Sequence, residues 1–386
     1  MTKTYYFDYA SATPVDSDIV AKMEQLRGPW ANISAKHSHG VISRKIWSEA
    51  LVSIAGTLNT KPSEIVITSG GTESNNLAIH AVMQGDKNAE VLISAFEHQS
   101  VKEKAHQYNY KEIKVSTNGI IDLADLKFKI ADNTKLISVM QVNNEIGTIQ
   151  PLREVAEIVD KVRKDRQTRG VKMPLYLHSD SCQATNYLSV LPNRLGVDMM
   201  TINSCKMYGP KGVGLLYVSS KIKNFEPLIV GGGQQNNRRG GTEDVANTYG
   251  LALALKKATE LRKTEEIRVS QLRDKLITFI QKEFPTAVIN GSLSKRIANN
   301  VSVSFPDVDN ETLMFQLDGR GVSVGTGSAC SAGGQEPSYS LTAIGTDKNL
   351  INSTLRITLG RQTDEQSIDY LLKCLAKFYV DHSIVL

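Results

Sequence analysis

Between residues 64 and 218 the chain alternates between short apolar runs and stretches of helical period. Strand-like runs fall at 64–68, 91–95, 136–142, 175–178, 199–202 and 213–218. Helical stretches lie between them, at 73–82, from about Val101, and after Pro151, where Leu152, Val155, Val159 and Val162 share one face. A β-α-β rhythm of this kind implies an α/β fold with a mostly parallel sheet flanked by helices. In such a sheet, ligands gather at the carboxyl ends of the strands.

The rhythm changes near Val245. A long helical stretch runs to Phe284 with Val269, Leu272, Leu276 and Ile280 in one apolar line, and Pro285 stops it. Shorter units follow: a strand at 300–305, a helix at 311–317, a Gly/Ser-rich loop at 325–334 and a strand at 354–359. A last helix begins at Thr363, which would form a capping box with Gln366. At the other end, 5–9 reads as an entry strand closed by Pro14. A helix capped by Asp16 comes next, then a polar loop at 32–40 and a helix carrying Ile46, Ala50 and Ile54. We expect a large domain over residues 15–260 and a small α+β domain made of 1–14 and 261–386.

Composition narrows the function. With 41% hydrophobic and 22% charged residues, the chain is an ordinary soluble globular protein. Its net charge of +5 is spread along the chain, with no basic stripe, so no nucleic-acid surface is expected. Four cysteines, Cys182, Cys205, Cys330 and Cys374, form no Cys-x-x-Cys pair and are too scattered for a disulfide framework, which fits a reducing cytoplasm. The N-terminus lacks an apolar signal core, and no apolar run approaches the ~20 residues that cross a bilayer. A cytoplasmic protein without a membrane partner is expected.

Candidate chemistry sits where strands end. Lys206 follows an apolar run and precedes a Gly-Pro-Lys-Gly turn. Alone it reads most simply as a solvated lysine, but desolvated there it would become a nucleophile towards carbonyls. The turn Thr68-Ser69-Gly70-Gly71-Thr72 opens a helix, whose free N–H groups suit a phosphate; it is neither a Walker loop nor a dinucleotide fingerprint. Asp180 is either a helix cap or a partner for a pyridine nitrogen. His98, after Glu97, is either a satisfied polar residue or a ring-stacking proton relay. Cys330, among small residues and glycines, has the setting of a thiol nucleophile that travels, whereas Cys374 lies in an apolar stripe. Arg356 alternates with Leu355 and Ile357 and, if it lines a cleft, could grip a carboxylate; Arg361 reads as structural.

Together these stretches resemble the cysteine desulfurases of the NifS/IscS type, within the class V aminotransferase group of pyridoxal-phosphate enzymes of fold type I. The resemblance runs nearly end to end: FDYASATPVD, TSGGTESNNLAI, EHQSV, VNNEIGTIQP, HSDSCQA, KMYGPKGVGLLYV, GGGQQNNRRGGTEDVAN, TGSACSAGGQEPSY and LRITLGR. It implies an enzyme that converts L-cysteine to L-alanine and leaves a persulfide on Cys330 for a sulfur-acceptor protein, as in iron–sulfur cluster assembly or thio-modification. Lys206 would hold pyridoxal 5'-phosphate covalently, Asp180 would pair with its ring nitrogen, His98 would stack on it, and Gln183 would bond its phenolic oxygen. Gly71 and Thr72 would hold the phosphate, with Thr242 reaching it from the partner subunit of a homodimer. Asn144 and Arg356 would bind the substrate carboxylate.

The chain departs from the family pattern at several points. The usual Ser-x-His-Lys is here Asn203-Ser204-Cys205-Lys206, so Asn203 and Cys205 take phosphate-contacting positions, and Cys205 is a poor donor. Asn236 stands where a basic residue is common. The chain stops at Leu386, before the tail with which longer relatives dock an iron–sulfur scaffold protein. Other readings share the motifs: a class V aminotransferase, a selenocysteine lyase, or a degenerate non-catalytic assembly subunit. An aminotransferase would tolerate Cys330→Ser and a desulfurase would not.

Overall fold

The computed structural model describes residues 4–326 and 337–381, with side chains through 378. Its strands are β1 (Tyr5–Phe7), β2 (Ile65–Thr68), β3 (Glu90–Ser94), β4 (Asn109–Ile113), β5 (Thr134–Ser138), β6 (Tyr176–Asp180), β7 (Met199–Asn203), β8 (Gly214–Val218), β9 (Val288–Ile289), β10 (Asn300–Ser304), β11 (Val322–Thr326) and β12 (Thr354–Thr358).

Strands β2 to β8 form one sheet in the order β2-β8-β7-β6-β5-β3-β4. From β4 across to β7 the strands are parallel, while β8 runs antiparallel to both β7 and β2. Successive side chains alternate between two apolar layers. Val66, Val91, Ile93, Leu136 and Leu216 pack on one side with Leu77 and Ile79 of the helix Gly71–Met83. Ile65, Ile67, Leu92, Ile137 and Leu215 pack on the other. Covered on both faces, the sheet is mostly parallel and flanked by helices, as its rhythm predicts. The chain leaves β3 towards β4 in one direction and continues through β5, β6 and β7 in the other. A crevice therefore opens beyond the carboxyl ends of β3 and β5, where ligands of such sheets bind.

The second sheet has the order β1-β11-β12-β10-β9, antiparallel except where β1 pairs with β11. It recruits the N-terminal strand alongside residues more than 280 positions later. The helix Val245–Glu283 joins the two parts; at 1.5 Å per residue it is about 58 Å long. Val269, Leu272, Leu276 and Ile280 are all buried along it, in the predicted line.

Several local expectations need correction. The strand expected over 136–142 stops at Ser138, and Asn143 then accepts the N–H groups of Glu145 and Ile146 with its side-chain oxygen (both 2.9 Å), turning the chain into the crevice. The glycine-rich stretch from 325 begins inside β11, because Gly325 and Thr326 pair with Arg356 and Leu355. Thr363 makes no capping box. Its hydroxyl accepts from the Gly360 N–H (3.0 Å), and Asp364 caps the helix Glu365–Asp381 by accepting from the Ser367 N–H (2.8 Å). Asp16 precedes the helix Ser17–Gln25 without capping it, since its carboxylate is drawn to Arg361 (2.5 Å) and Lys257 (3.2 Å). Arg361 also lies 4.0 Å over the Tyr208 ring, the structural role expected of it.

Candidate active site

Lys206 ends a single turn of 3-10 helix, Ser204–Lys206, that closes β7. This turn is tied to the N-terminal strap. The Cys205 carbonyl accepts from the Thr13 N–H (2.9 Å) and hydroxyl (3.1 Å), and that hydroxyl accepts from the Tyr208 N–H (2.7 Å). Asn186 donates to the Lys206 carbonyl (2.7 Å). With its backbone held at both ends, the half-buried Lys206 amine donates to the carbonyls of Ala10 (2.9 Å) and Ser11. Gln183 Nε2 shares the Ala10 carbonyl (3.0 Å).

Asp180, the last residue of β6, is not a solvated helix cap. It is buried, and its Oδ1 accepts from the Cys182 N–H (2.9 Å) while its Oδ2 accepts from Asn75 Nδ2 (2.7 Å). The second hydrogen of that amide goes to Ser100 Oγ (2.8 Å), whose hydroxyl in turn reaches His98 Nδ1 (2.7 Å). His98 Nδ1 also accepts from the Ser100 N–H (3.1 Å), capping the helix Gln99–Ala105. The ring proton of neutral His98 therefore sits on Nε2. Burial, reinforced by the Lys206 charge and opposed by Asp180, lowers the His98 pKa and keeps the ring neutral.

These side chains face one cavity of about 170 Å³. Of the residues read from the sequence, Lys206, Asp180, His98, Gln183, Gly71, Thr72, Asn203, Asn144 and Arg356 line it. Cys205 and Thr242 do not. Cys205 Sγ donates to Asn203 Oδ1 (3.5 Å), so it acts on the cavity through the asparagine amide, and Thr242 is exposed. Cys330 lies outside the described residues.

The cavity floor is shaped for an anion. Gly70 has φ +150°, a conformation that side chains rarely adopt, and it delivers the chain to the N-terminus of the helix Gly71–Met83. A Cβ at Gly71 would stand 3.1 Å from Cys182 Sγ and 3.3 Å from Asn203 Nδ2, filling the cradle. Glu73, in the first helical turn, would repel an anion, but Arg239 neutralises it through two bonds (2.8 and 3.2 Å).

On the opposite wall stands Arg356, in the middle of β12. It is not on an open surface: its side chain is 3% exposed, and Nη2 pairs with Asp8 Oδ1 at 2.8 Å. Nη1 reaches the Asn144 carbonyl (3.4 Å). Two further acids lie buried behind the site. Burial raises Glu97 to about 8, against hydrogen bonds from Ser94 and the Met140 N–H. Glu145 is raised to about 7, again chiefly by burial, opposed by Ser338 and the Arg356 charge.

Sequence reasoning missed Asn75, Ser100, Asp8, Glu145 and Tyr339. Asn75 was accessible to it, since it stands four residues after Gly71, one helical turn on, and so faces the same cavity. Asp8 and Tyr339 carried no such signal, because their roles depend on contacts across hundreds of residues.

A glycine-led helix start, a lysine and a buried carboxylate gathered at the carboxyl ends of a mostly parallel sheet define the site of an α/β enzyme. The class-V aminotransferase family model matches residues 5–371, and the chain belongs to that family. It is 37% identical to the cysteine desulfurase IscS of Dictyoglomus turgidum over 98% of this chain and 95% of that one. A solved NifS-like protein superposes with a TM-score of 0.89 at 29% identity, covering 98% of this chain and all of that one. SspA, solved in complex with cysteine, superposes with a TM-score of 0.79 at 29% identity over 92% and 99% of the two chains. The resemblance to NifS/IscS-type cysteine desulfurases thus holds along the length of the chain.

Proposed function

We infer that this cysteine desulfurase uses pyridoxal 5'-phosphate to convert L-cysteine to L-alanine and takes the sulfur as a persulfide on Cys330. The observation that carries the reading is that Lys206, Asp180 and Arg356 line one cavity at the strand ends. When bound, pyridoxal phosphate supplies an electron sink for bond breaking at the substrate's α and β carbons. Lys206 would hold the cofactor covalently, Asp180 would face its ring nitrogen, and the Gly71–Thr72 helix start with Asn203 would hold its phosphate. His98 presents a flat ring with its proton on Nε2. Arg356 and Asn144 bind the substrate carboxylate, which leaves the sulfur free to point at an incoming thiol.

In the sulfur transfer, the Cys330 thiolate forms an S–S bond to the substrate sulfur as the substrate C–S bond breaks. The electron pair of that bond stays with carbon, which takes up a proton to become the alanine methyl. Sulfur is oxidised and carbon reduced in the same step, so no outside oxidant is needed. The Lys206 amine lines the same cavity as Asn144 and Arg356, and would be the group that moves a proton at the substrate's α-carbon.

We assign residues 15–260 to a large cofactor-binding domain and 1–14 with 261–386 to a small one, supported by the division of the strands between two sheets. A homodimer is the assembly in which Thr242, exposed in its own chain, would complete the partner's phosphate site. No helix among the described residues is long and apolar enough to cross a membrane. A cytoplasmic enzyme serving a sulfur-acceptor protein, including in iron–sulfur cluster assembly, is the setting that the likeness to cysteine desulfurases suggests.

Incubation of the purified protein with L-cysteine tests the reading. Alanine should accumulate and mass spectrometry should find +32 Da on the peptide containing Cys330, about the mass of one sulfur atom. Absence of alanine would remove the assignment, and a Cys330→Ser variant retaining full activity would remove the persulfide step.

A further inference from the structure

Residues 143–145 and 338–340 meet side chain to side chain, in opposite directions. Asn143 Nδ2 donates to Ser340 Oγ (3.0 Å), Tyr339 Oη donates to Asn144 Oδ1 (3.1 Å), and Ser338 Oγ donates to Glu145 Oε2. Both strips are rigid in their own right. Asn143 Oδ1 is held by the N–H groups of Glu145 and Ile146, and Ser338 caps the short helix Tyr339–Ala343 by accepting from the Leu341 N–H (3.1 Å). Asn143, Asn144, Glu145, Ser338 and Ser340 are all buried. Bonds there have little competition from water, and losing a partner strands a polar group.

The middle pair points at the cavity, which Asn144 lines and Tyr339 does not. An asparagine amide has one accepting and one donating end, and its direction is set by its neighbours. Because the phenol donates to Oδ1, the two hydrogens of Nδ2, which have no partner among the described residues, are left for whatever occupies the cavity. A carboxylate can only accept, so this is the direction in which Asn144 recognises one.

We propose that Tyr339 is a positioning residue for substrate: it holds the Asn144 amide with its donor end towards the cavity, and the flanking Asn143–Ser340 and Ser338–Glu145 pairs hold Tyr339 against it. The inference rests on the assignment of Asn144 to the substrate carboxylate. It gives the turn at 143–145 a second duty, since the segment that presents the amide is also the one that receives its orienting group.

The test is a double-mutant cycle on the cofactor-loaded enzyme, read as kcat and KM for L-cysteine and as the Kd of L-alanine by calorimetry. Tyr339→Phe should raise KM and the alanine Kd by about 3- to 10-fold, the usual worth of one neutral hydrogen bond. It should leave kcat within about twofold and the cofactor absorbance unchanged. Asn144→Ala should raise both constants further, and adding Tyr339→Phe to it should raise neither appreciably, since the phenol's effect on substrate runs through the amide even though Tyr339 also hydrogen-bonds Glu145. The proposal is overturned if Asn144→Ala weakens binding while Tyr339→Phe does not, if the two effects multiply, or if Tyr339→Phe lowers only kcat or thermal stability. If Asn144→Ala itself leaves KM and alanine affinity unchanged, the carboxylate assignment falls and the proposal falls with it.

Discussion

Asp8 and Arg356, 348 residues apart, share an ion pair at 2.8 Å that joins the N-terminal strap to the middle of β12. The pair exists because Gly325, opposite Arg356 in the sheet, has no side chain; a Cβ there would come within 2.8 Å of Asp8 Oδ1 and 3.1 Å of Arg356 Nη2. Asp8 thus neutralises a guanidinium that is almost wholly out of water and holds Nη2 in place beside the cavity that Arg356 lines. Asp8→Ala should cost about 1–3 kcal/mol, the pair being only partly screened by solvent, and lower the melting temperature by several degrees. It should also raise KM for L-cysteine by about tenfold as the fork loses its orientation. Asp8→Asn keeps an acceptor in place and should recover most of the KM but not the melting temperature. An unchanged KM in Asp8→Ala would show that the fork is oriented by other contacts.

Asn75 divides its two amide hydrogens between Asp180 and Ser100, and so couples the carboxylate at the end of β6 to the imidazole that follows β3. Asn75→Asp replaces that donor with a second carboxylate within hydrogen-bonding distance of the first. Two such groups cannot both ionise cheaply: ionised, the added carboxylate repels Asp180 from its place, and protonated it can again donate a hydrogen bond to it. The cofactor's near-visible absorbance should be lost in Asn75→Asp at pH 8 and partly return towards pH 6. Asn75→Ala, which removes the donor without adding charge, should retain the band with about tenfold weaker cofactor affinity. Wild-type absorbance in Asn75→Asp at pH 8 would contradict this coupling.

Much of this architecture is legible in the chain because its signals are local. Apolar runs such as Val91, Leu92 and Ile93 announce strands covered on both faces, and the apolar line from Val269 to Ile280 announces the long helix. Lys206, Asp180 and His98 could be placed at strand ends because a parallel sheet gathers those ends together. The edge strand β4 was missed because Asn109, Tyr110 and Lys111 are exposed and give no apolar pattern. Strand β11 was hidden by glycine, where Gly325 serves the Asp8–Arg356 pair rather than a loop. Asp8 and Tyr339 were invisible for a different reason. Each orients a site residue across a long sequence separation, and only the folded chain brings the two together.

Glu97 makes a prediction that depends on no cofactor. Its carboxyl is fully buried where β3 and β5 part, and Oε1 accepts from Ser94 Oγ (2.5 Å) and the Met140 N–H (2.7 Å), clamping the two lips of the crevice. Oε2 has no partner among the described residues, the position expected of the proton on a neutral acid. Burial raises the folded pKa from 4.5 to about 8. Between those values the unfolded chain has released this proton and the native chain has kept it. The native state therefore binds more protons, and stability falls as pH rises, by roughly 1.4 kcal/mol per unit at most, before levelling off once the folded acid ionises. Glu97→Gln retains an acceptor for Ser94 and Met140 but has no proton to lose. Measured by thermal unfolding from pH 5 to pH 9, the variant should fare worst relative to wild type at pH 5 and close that gap as pH approaches 8. Groups that titrate in both proteins cancel in the difference, so a gap that stays constant with pH would mean that Glu97 is ionised in the native protein.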